Sequence, residues 1–207
     1  MPTDATTLAS LKKEERKARQ HIIISAAERA YGKKPFETVS MRDIAKEAGM
    51  AVSSIYRYFP DQQTLFVEAF VSGTQEIIAR MNERIERGEI TDLVDFGLLF
   101  IDFLIENDHY FRMMTHFMLD GSLNEKPLEK LNLAARSVLD QFERVFGQCG
   151  TKQTPRFLSH AYFAALNGIL ISFRNYPGRS TSEVRHHMEE LAKTVALSLE
   201  CYARQTP

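Results

Sequence analysis

Several features that define other classes of protein are scarce or missing in this chain. Only two of its 207 residues are cysteine, Cys149 and Cys201, too few for the disulfide framework of a small secreted protein. The N-terminal segment MPTDATTLAS is polar, whereas a secretory signal needs an apolar core. The apolar run at residues 93–105 is interrupted by Asp95 and Asp102 and is too short to cross a bilayer. We therefore expect a soluble, cytoplasmic protein without a membrane partner.

Motifs of the common enzyme and metal-binding classes are missing as well. The sequence has no C-x-x-C, no H-E-x-x-H and no glycine-rich phosphate loop. The neighbours His186 and His187 would point about 100° apart on a helix and would make a poor chelating pair. His109 and His116 lie two helical turns apart, too far for joint ligation. We expect no catalytic residue, no metal and no cofactor, and an all-helical enzyme is only a weak alternative.

Charge is distributed unevenly along the chain. The whole sequence has a net charge of −1, but residues 1–60 carry +4 and the remainder carries −5. A basic end on an acidic body is typical of a protein that presents one face to phosphates. Much of the positive charge lies in KKEERKAR at residues 12–19. A solvated helix face would explain that run equally well.

Residues 40–59, SMRDIAKEAGMAVSSIYRYF, predict two short helices joined by a tight turn. Ser40 can cap the first helix, with the carboxylate of Asp43 in its first turn. An apolar stripe at helical spacing follows, formed by Met41, Ile44, Ala45 and Ala48. Gly49 can adopt the left-handed conformation that ends a helix. This layout fits a DNA-binding helix-turn-helix, although an ordinary helical hairpin has the same spacing.

The segment resembles the N-terminal signature of the TetR family of bacterial transcriptional regulators. The matching positions are Ile44, Ala45, Ala48, Gly49, Tyr56, Tyr58, Phe59 and Leu65. The signature covers roughly residues 15–70. The resemblance implies an N-terminal DNA-binding domain of three helices and a helical C-terminal domain that binds an effector and forms a dimer.

Three positions depart from the family pattern. Ala51 stands where a capping Ser is usual, Ser53 replaces a Gly, and Gln62 replaces a Lys that often contacts phosphate. A lost cap costs about 1 kcal/mol, and a lost phosphate contact weakens binding to DNA. The alternative to a regulator that binds its own operator is therefore a weak DNA binder that acts through a partner protein.

The remaining pattern is helical throughout, so we predict an all-α fold of about nine helices. We expect a flexible tail at residues 1–12, the helix-turn-helix domain at 13–60, and the effector-binding and dimerisation domain at 61–207. The fifth helix, near residues 92–106, is apolar nearly all round and should be buried.

The resemblance also implies which residues contact double-stranded operator DNA. For the major groove we predict Arg42, Val52, Ser53, Ser54 and Tyr56, and for phosphates Ser40, Arg57 and Tyr58. One recognition helix reads only a few base pairs, so a homodimer on a pseudo-palindrome is expected. The family pattern implies that the eighth and ninth helices form the dimer.

Aromatic residues and methionines cluster in FGLLFIDF at residues 96–103 and FRMMTHFML at residues 111–119. Such clusters are more often core than cavity, but the resemblance favours a pocket for a small hydrophobic effector. We predict an apolar lining of Phe100, Phe103, Phe111, Met114, Phe117 and Met118, and polar contacts from Arg112, His116, His160, Tyr162 and Asn167. Repression that the effector relieves is the expected mode.

Overall fold

Helices form the regular secondary structure of this protein. The computed structural model describes residues 7–120, 123–148 and 154–205. Within those ranges there are nine α-helices, one 3₁₀ turn at Phe36–Thr38, and no strand. The helices are α1 (Leu8–Lys33), α2 (Met41–Ala48), α3 (Val52–Tyr56), α4 (Gln62–Glu86), α5 (Leu93–Glu106), α6 (Asp108–Asp120), α7 (Glu125–Gln148), α8 (Pro155–Phe173) and α9 (Thr181–Arg204). The all-α prediction is confirmed.

The first helix begins earlier than predicted. The Thr7 side chain accepts a hydrogen bond of 3.2 Å from the backbone N–H of Ser10 and so caps α1. The last five residues of the expected flexible tail, 8–12, are therefore helical. The residues that follow are mostly Lys, Glu, Arg and Ala, which favour helix strongly, so propensity extends α1 beyond its buried part.

The chain divides into two compact units, and their boundary is not the expected one at residue 60. The first unit comprises Met1–Ser72 and His109–Lys130, and the second comprises Gly73–Asp108 and Leu131–Pro207. Within the first unit, the ring of Phe117 on α6 lies 4.8 Å from Phe66 and 5.0 Å from Phe70 of α4. Helix α6 thus packs with the N-terminal helices, a contact that helical periodicity does not reveal.

The core of the first unit is built on the C-terminal part of α1. Small residues of α1, including Ala26 and Ala27, are fully buried, and α2 packs closely against them. Ile44 of α2 and Ile55 of α3 are also fully buried. Burial of this apolar face, rather than helix propensity, holds short helices such as α2 and α3 in place.

The core of the second unit centres on Phe142 of α7. Phe96 and Phe100 of α5 meet its ring edge to face, at centroid distances of 4.7 and 5.3 Å. The hydroxyl of buried Tyr162 on α8 donates a 2.7 Å hydrogen bond to the carbonyl of Leu93. Helix α5 also packs on α9. The prediction that α5 is a buried helix is confirmed.

Two further observations concern the described residues only. None of their helices is both long and apolar enough to span a bilayer. No group of three or more His, Cys, Asp or Glu side chains among them could hold a metal ion. Cys201 is an exposed free thiol on α9, and Cys149 lies outside the described residues.

Candidate nucleic-acid interface

Helix α2 begins with a complete capping box. The Ser40 hydroxyl accepts a 3.2 Å hydrogen bond from the backbone N–H of Asp43 and donates one of 2.6 Å to its carboxylate. The backbone N–H of Ser40 donates to the same carboxylate at 2.9 Å. The two bonds that the carboxylate accepts, from the Ser40 hydroxyl first and from the Ser40 N–H second, lower the pKa of Asp43. The helix start predicted at residue 40 is confirmed, and the Ser40 hydroxyl already has an intramolecular partner.

The turn between α2 and α3 depends on Gly49. This glycine has φ +65° and ψ +31°, in the left-handed region that L side chains adopt only under strain. Its N–H bonds back to the end of α2, and the N–H of Met50 donates to the carbonyl of Ala45 at 3.0 Å. The left-handed helix end predicted from the sequence is therefore present.

Helix α3 is a short helix with one buried, two half-buried and two exposed residues. Ala51 occupies its N-cap and makes no side-chain hydrogen bond, as its methyl group requires. Ile55 is fully buried and anchors the helix, whereas Ser53 and Tyr56 are exposed, Tyr56 by 50 %. The half-buried members of the predicted DNA-binding set are Val52, Ser54 and Tyr58, and the other exposed ones are Ser40, Arg42 and Arg57.

The acidic side chains of α2 are neutralised by neighbouring cations. Glu47 accepts hydrogen bonds from Arg29 at 2.8 Å and from Lys33 at 3.1 Å, and these bonds, the Arg29 one first, lower its pKa. By contrast, Arg42 and Arg57 form no ion pair within the part of the chain that the structure describes. The exposed surface of α2 and α3 therefore offers positive charge to a partner.

Gln62 has a role that the sequence did not reveal. Its side-chain amide donates to the carbonyls of Val39 at 2.6 Å and Phe36 at 3.2 Å. The first residue of α4 thereby fixes the segment that leads into the Ser40 cap. The bonded residues are 23 and 26 positions apart in the sequence, so the local sequence pattern could not predict these contacts. Gln62, which stands where the family pattern has a Lys, therefore contributes an amide that stabilises the local fold instead of a positive charge.

Basic residues of α1 form a second feature that sequence reasoning left open. Lys12, Arg16 and Arg19 line a groove together with Arg57 and Tyr58, and Glu15 completes its wall. The three α1 cations recur at i, i+4 and i+7, a spacing that puts them on one helix face. That spacing was the available signal within KKEERKAR.

The predicted effector-binding residues are divided between the two units. Phe111, Met114, Phe117, Met118 and His116 belong to the first unit, whereas Phe100, Phe103, Tyr162 and Asn167 belong to the second. Tyr162 and Asn167 are both buried. Met118, in the first unit, is 43 % exposed. His160, on α8, is exposed.

Tyr162 and Asn167 differ in how fully their polar atoms are hydrogen-bonded. The Tyr162 hydroxyl already donates to Leu93, and burial raises its pKa. The Asn167 amide donates to the carbonyl of Phe163 at 2.8 Å, but its buried Oδ1 has no hydrogen-bond partner among the described residues. A buried acceptor without a partner is uncommon and costs about 1–3 kcal/mol. Asn167 is therefore the residue of this set that can still bind a donor.

Comparison with known proteins agrees with this geometry. Residues 23–69, which contain the buried part of α1 and all of α2 and α3, match the family model described as bacterial regulatory proteins, tetR family. A curated relative, an uncharacterized HTH-type transcriptional regulator of Haemophilus influenzae, is 26 % identical over 104 residues. That match covers 49 % of this chain and half the length of the relative.

Solved structures share the fold along nearly their whole length. The regulator FadR from Bacillus subtilis, in complex with stearoyl-CoA, has a TM-score of 0.70 at 18 % identity and covers 85 % of this chain and 97 % of its own. A transcriptional regulator from Saccharomonospora viridis, in complex with choline, has a TM-score of 0.67 at 19 % identity over 86 % and 96 % of the two chains. The capping box of α2 and the left-handed turn at Gly49 both lie within residues 23–69, the segment that matches the family model of bacterial regulatory proteins, tetR family.

Proposed function

We propose that this protein is a transcriptional regulator that binds operator DNA as a homodimer and releases it when a small hydrophobic effector binds. The observation that carries the proposal is α3, which is anchored by the buried Ile55 and exposes Ser53, Tyr56 and Arg57. A short helix with one apolar anchor and polar outer side chains suits the major groove, where hydroxyl and guanidinium groups meet base edges and phosphates. Arg42, Val52 and Ser54 complete the proposed groove contacts, and Ser40 and Tyr58 the phosphate contacts.

The test begins with Tyr56, because it is the largest exposed side chain of α3. Replacing Tyr56 with Ala is expected to weaken binding to a duplex that the wild-type protein selects from a random pool. Contacts to a base are worth about 1–3 kcal/mol each, and a dimer loses two of them, so the dissociation constant should rise at least about 30-fold. Fluorescence anisotropy at near-physiological salt measures the change.

Tyr176 supplies a matched control. It is 51 % exposed, nearly the same as Tyr56, but it lies in the second unit. The substitution Tyr176→Ala should leave the dissociation constant unchanged within about twofold, since surface changes away from an interface have small effects. Equal losses in both variants would mean that α3 does not lie in the groove. Failure of the wild-type protein to select any duplex at near-physiological salt would favour the weak DNA binder.

Support for a homodimer comes from an unpartnered face of α8. The exposed residues Phe157, His160, Ala164, Gly168 and Ile171 follow one another at helical spacing along this face. Apart from the adjacent backbone of α8 and the two chain neighbours of Gly168, no atom of the described residues lies within 4 Å of the position that a Cβ on Gly168 would occupy. Leu197, on α9, is also exposed. Such a stripe of apolar and small residues fits a four-helix bundle with a second copy, in which each α8 packs against its counterpart.

Support for an effector comes from Asn167 and from the apolar residues of the predicted lining. The Oδ1 atom of Asn167 can accept a hydrogen bond from a ligand donor, while aromatic and Met side chains favour an apolar ligand body. Two of the solved structures with this fold contain a bound small molecule, stearoyl-CoA in one and choline in the other. Within the second unit, the proposed lining combines the apolar residues Phe100 and Phe103 with Tyr162 and Asn167.

The substitution Asn167→Leu tests the effector site. The two side chains have similar size. The change removes a buried acceptor that has no partner but also the hydrogen bond to the Phe163 carbonyl, so the apo protein should be about as stable as the wild type. Hydrophobic compounds that raise the melting temperature of the wild type should release it from DNA, and that release should weaken at least about fivefold in the variant. A variant that binds DNA and responds fully to the same compounds would contradict the assignment.

A further inference from the structure

The groove between α1 and the end of α3 carries an excess of positive charge. Its six lining residues include four cations, Lys12, Arg16, Arg19 and Arg57, and one carboxylate, Glu15. The groove has a volume of about 530 Å³ and lies wholly within the first unit. A concave surface with three more positive than negative charges attracts a polyanion.

The part of α1 that forms the groove has no packing role. Residues 8–19 are exposed, and full burial begins only at Ile23. The helix nevertheless continues for about four more turns to the Thr7 cap. This exposed part of α1 positions Lys12, Arg16 and Arg19 along the groove.

The cations on the two faces of this segment differ in their surroundings. The Arg16 guanidinium lies 5.4 Å from the centre of the Tyr58 ring, within the range of a cation–π contact. Arg19 is held by a 2.7 Å hydrogen bond to Glu15, which raises its pKa. Lys17, outside the groove, pairs instead with Glu14 at 3.3 Å. Carboxylate partners thus occur both inside and outside the groove, and the contact that distinguishes the groove is the one between Arg16 and the Tyr58 ring.

The row of α1 cations also matches the spacing of a DNA strand. Seven residues separate Lys12 from Arg19, which corresponds to a rise of about 10 Å along a helix. One DNA strand presents a phosphate about every 3.4 Å of its axis, so a row of this length meets about three phosphates. Arg57 and Tyr58, which follow α3 directly, connect the row to the helix proposed to read bases.

We propose that this groove holds the phosphate backbone of duplex DNA beside the segment that α3 reads. The inference rests on the proposed function and adds Lys12, Arg16 and Arg19 to its phosphate contacts. These side chains provide sequence-independent affinity, because they release counterions from DNA without contacting base edges.

The test compares two double substitutions on the same helix. K12Q/R16Q removes two groove cations, and K13Q/K17Q removes two cations that do not line the groove. Both lower the net charge equally and use Gln, which favours helix. Binding is measured from about 50 to 200 mM salt, on a duplex that the wild type selects from a random pool and on a random-sequence duplex of the same length.

On both duplexes, K12Q/R16Q should reduce the salt slope of the logarithm of affinity by about 1.8, two phosphates at about 0.9 each. The wild type would then lose about tenfold more affinity than this variant across that salt range. K13Q/K17Q should change the slope by less than half as much. Melting temperatures within a few degrees of the wild type would show that both variants fold.

Three results would overturn the inference. Equal slope changes in the two variants would show that net charge alone attracts DNA. Tight binding by the wild type with no change in K12Q/R16Q would remove the groove from the interface and leave the proposed function standing. Absence of wild-type binding to either duplex would refute both proposals.

Discussion

Replacing Gly97 with alanine is expected to lower the free energy of unfolding by about 2–6 kcal/mol. A Cβ at this position would lie 1.8 Å from the Tyr162 hydroxyl oxygen and 2.8 Å from Cζ of the same ring. Tyr162 is fully buried and cannot move away without breaking its 2.7 Å hydrogen bond to Leu93. Overpacking costs about 1–3 kcal/mol, and an unmade buried hydrogen bond costs about 1–3 kcal/mol more.

Urea denaturation followed by circular dichroism measures the loss. Gly147→Ala is the matched control, because Gly147 lies in helix α7 with open space around its Cβ position. That substitution should stabilise the protein by up to about 1 kcal/mol through helix propensity. Tyr162→Phe isolates the hydrogen bond and should cost about 1–3 kcal/mol. A Gly97→Ala protein as stable as Gly147→Ala would show that α5 and α8 are not so close.

Replacing Ile171 with glutamate is expected to convert the proposed homodimer into a monomer and to weaken operator binding with it. Ile171 is 52 % exposed on the unpartnered face of α8. In a two-fold dimer the substitution introduces a carboxylate from each copy into one apolar interface. At about 1–3 kcal/mol for each desolvated polar group, the dimer dissociation constant should rise about 30-fold to 10⁴-fold.

Leu133→Glu provides the comparison for this substitution. Leu133 is 62 % exposed on α7, so it is equally accessible but lies outside the face formed by α8 and α9. Analytical ultracentrifugation should find Leu133→Glu dimeric at concentrations where Ile171→Glu sediments as a monomer. If both variants remain dimers, the contact between copies lies elsewhere in the chain.

Local signals in the sequence predicted the helix-turn-helix well. Ser40 and Asp43 are three residues apart and form the capping box at the start of α2. Gly49 adopts the left-handed conformation that its lack of a Cβ permits. Each of these features depends on neighbouring residues alone. The apolar character of residues 93–105 likewise predicted the burial of α5.

Contacts between distant residues were beyond sequence reasoning. Gln62 looked like a lost phosphate contact, yet it binds carbonyls that precede it by 23 and 26 residues. The aromatic residues of α6 looked like one cavity with those of α5, whereas Phe117 packs on Phe66 and Phe70 within the first unit. Periodicity shows which face of a helix is apolar but not which helix covers it.

The shortness of α3 has a consequence for how such a protein changes during evolution. Only Ile55 among its five residues is fully buried, and the backbone around it is held by Gly49 and by helices on either side. Mutation of the outward positions Ser53 and Tyr56 therefore alters the chemistry offered to a base pair at little cost in folding free energy. Duplicated copies of the gene could diverge in the sequence they read while keeping one scaffold, because selection on specificity and selection on stability act here on different side chains.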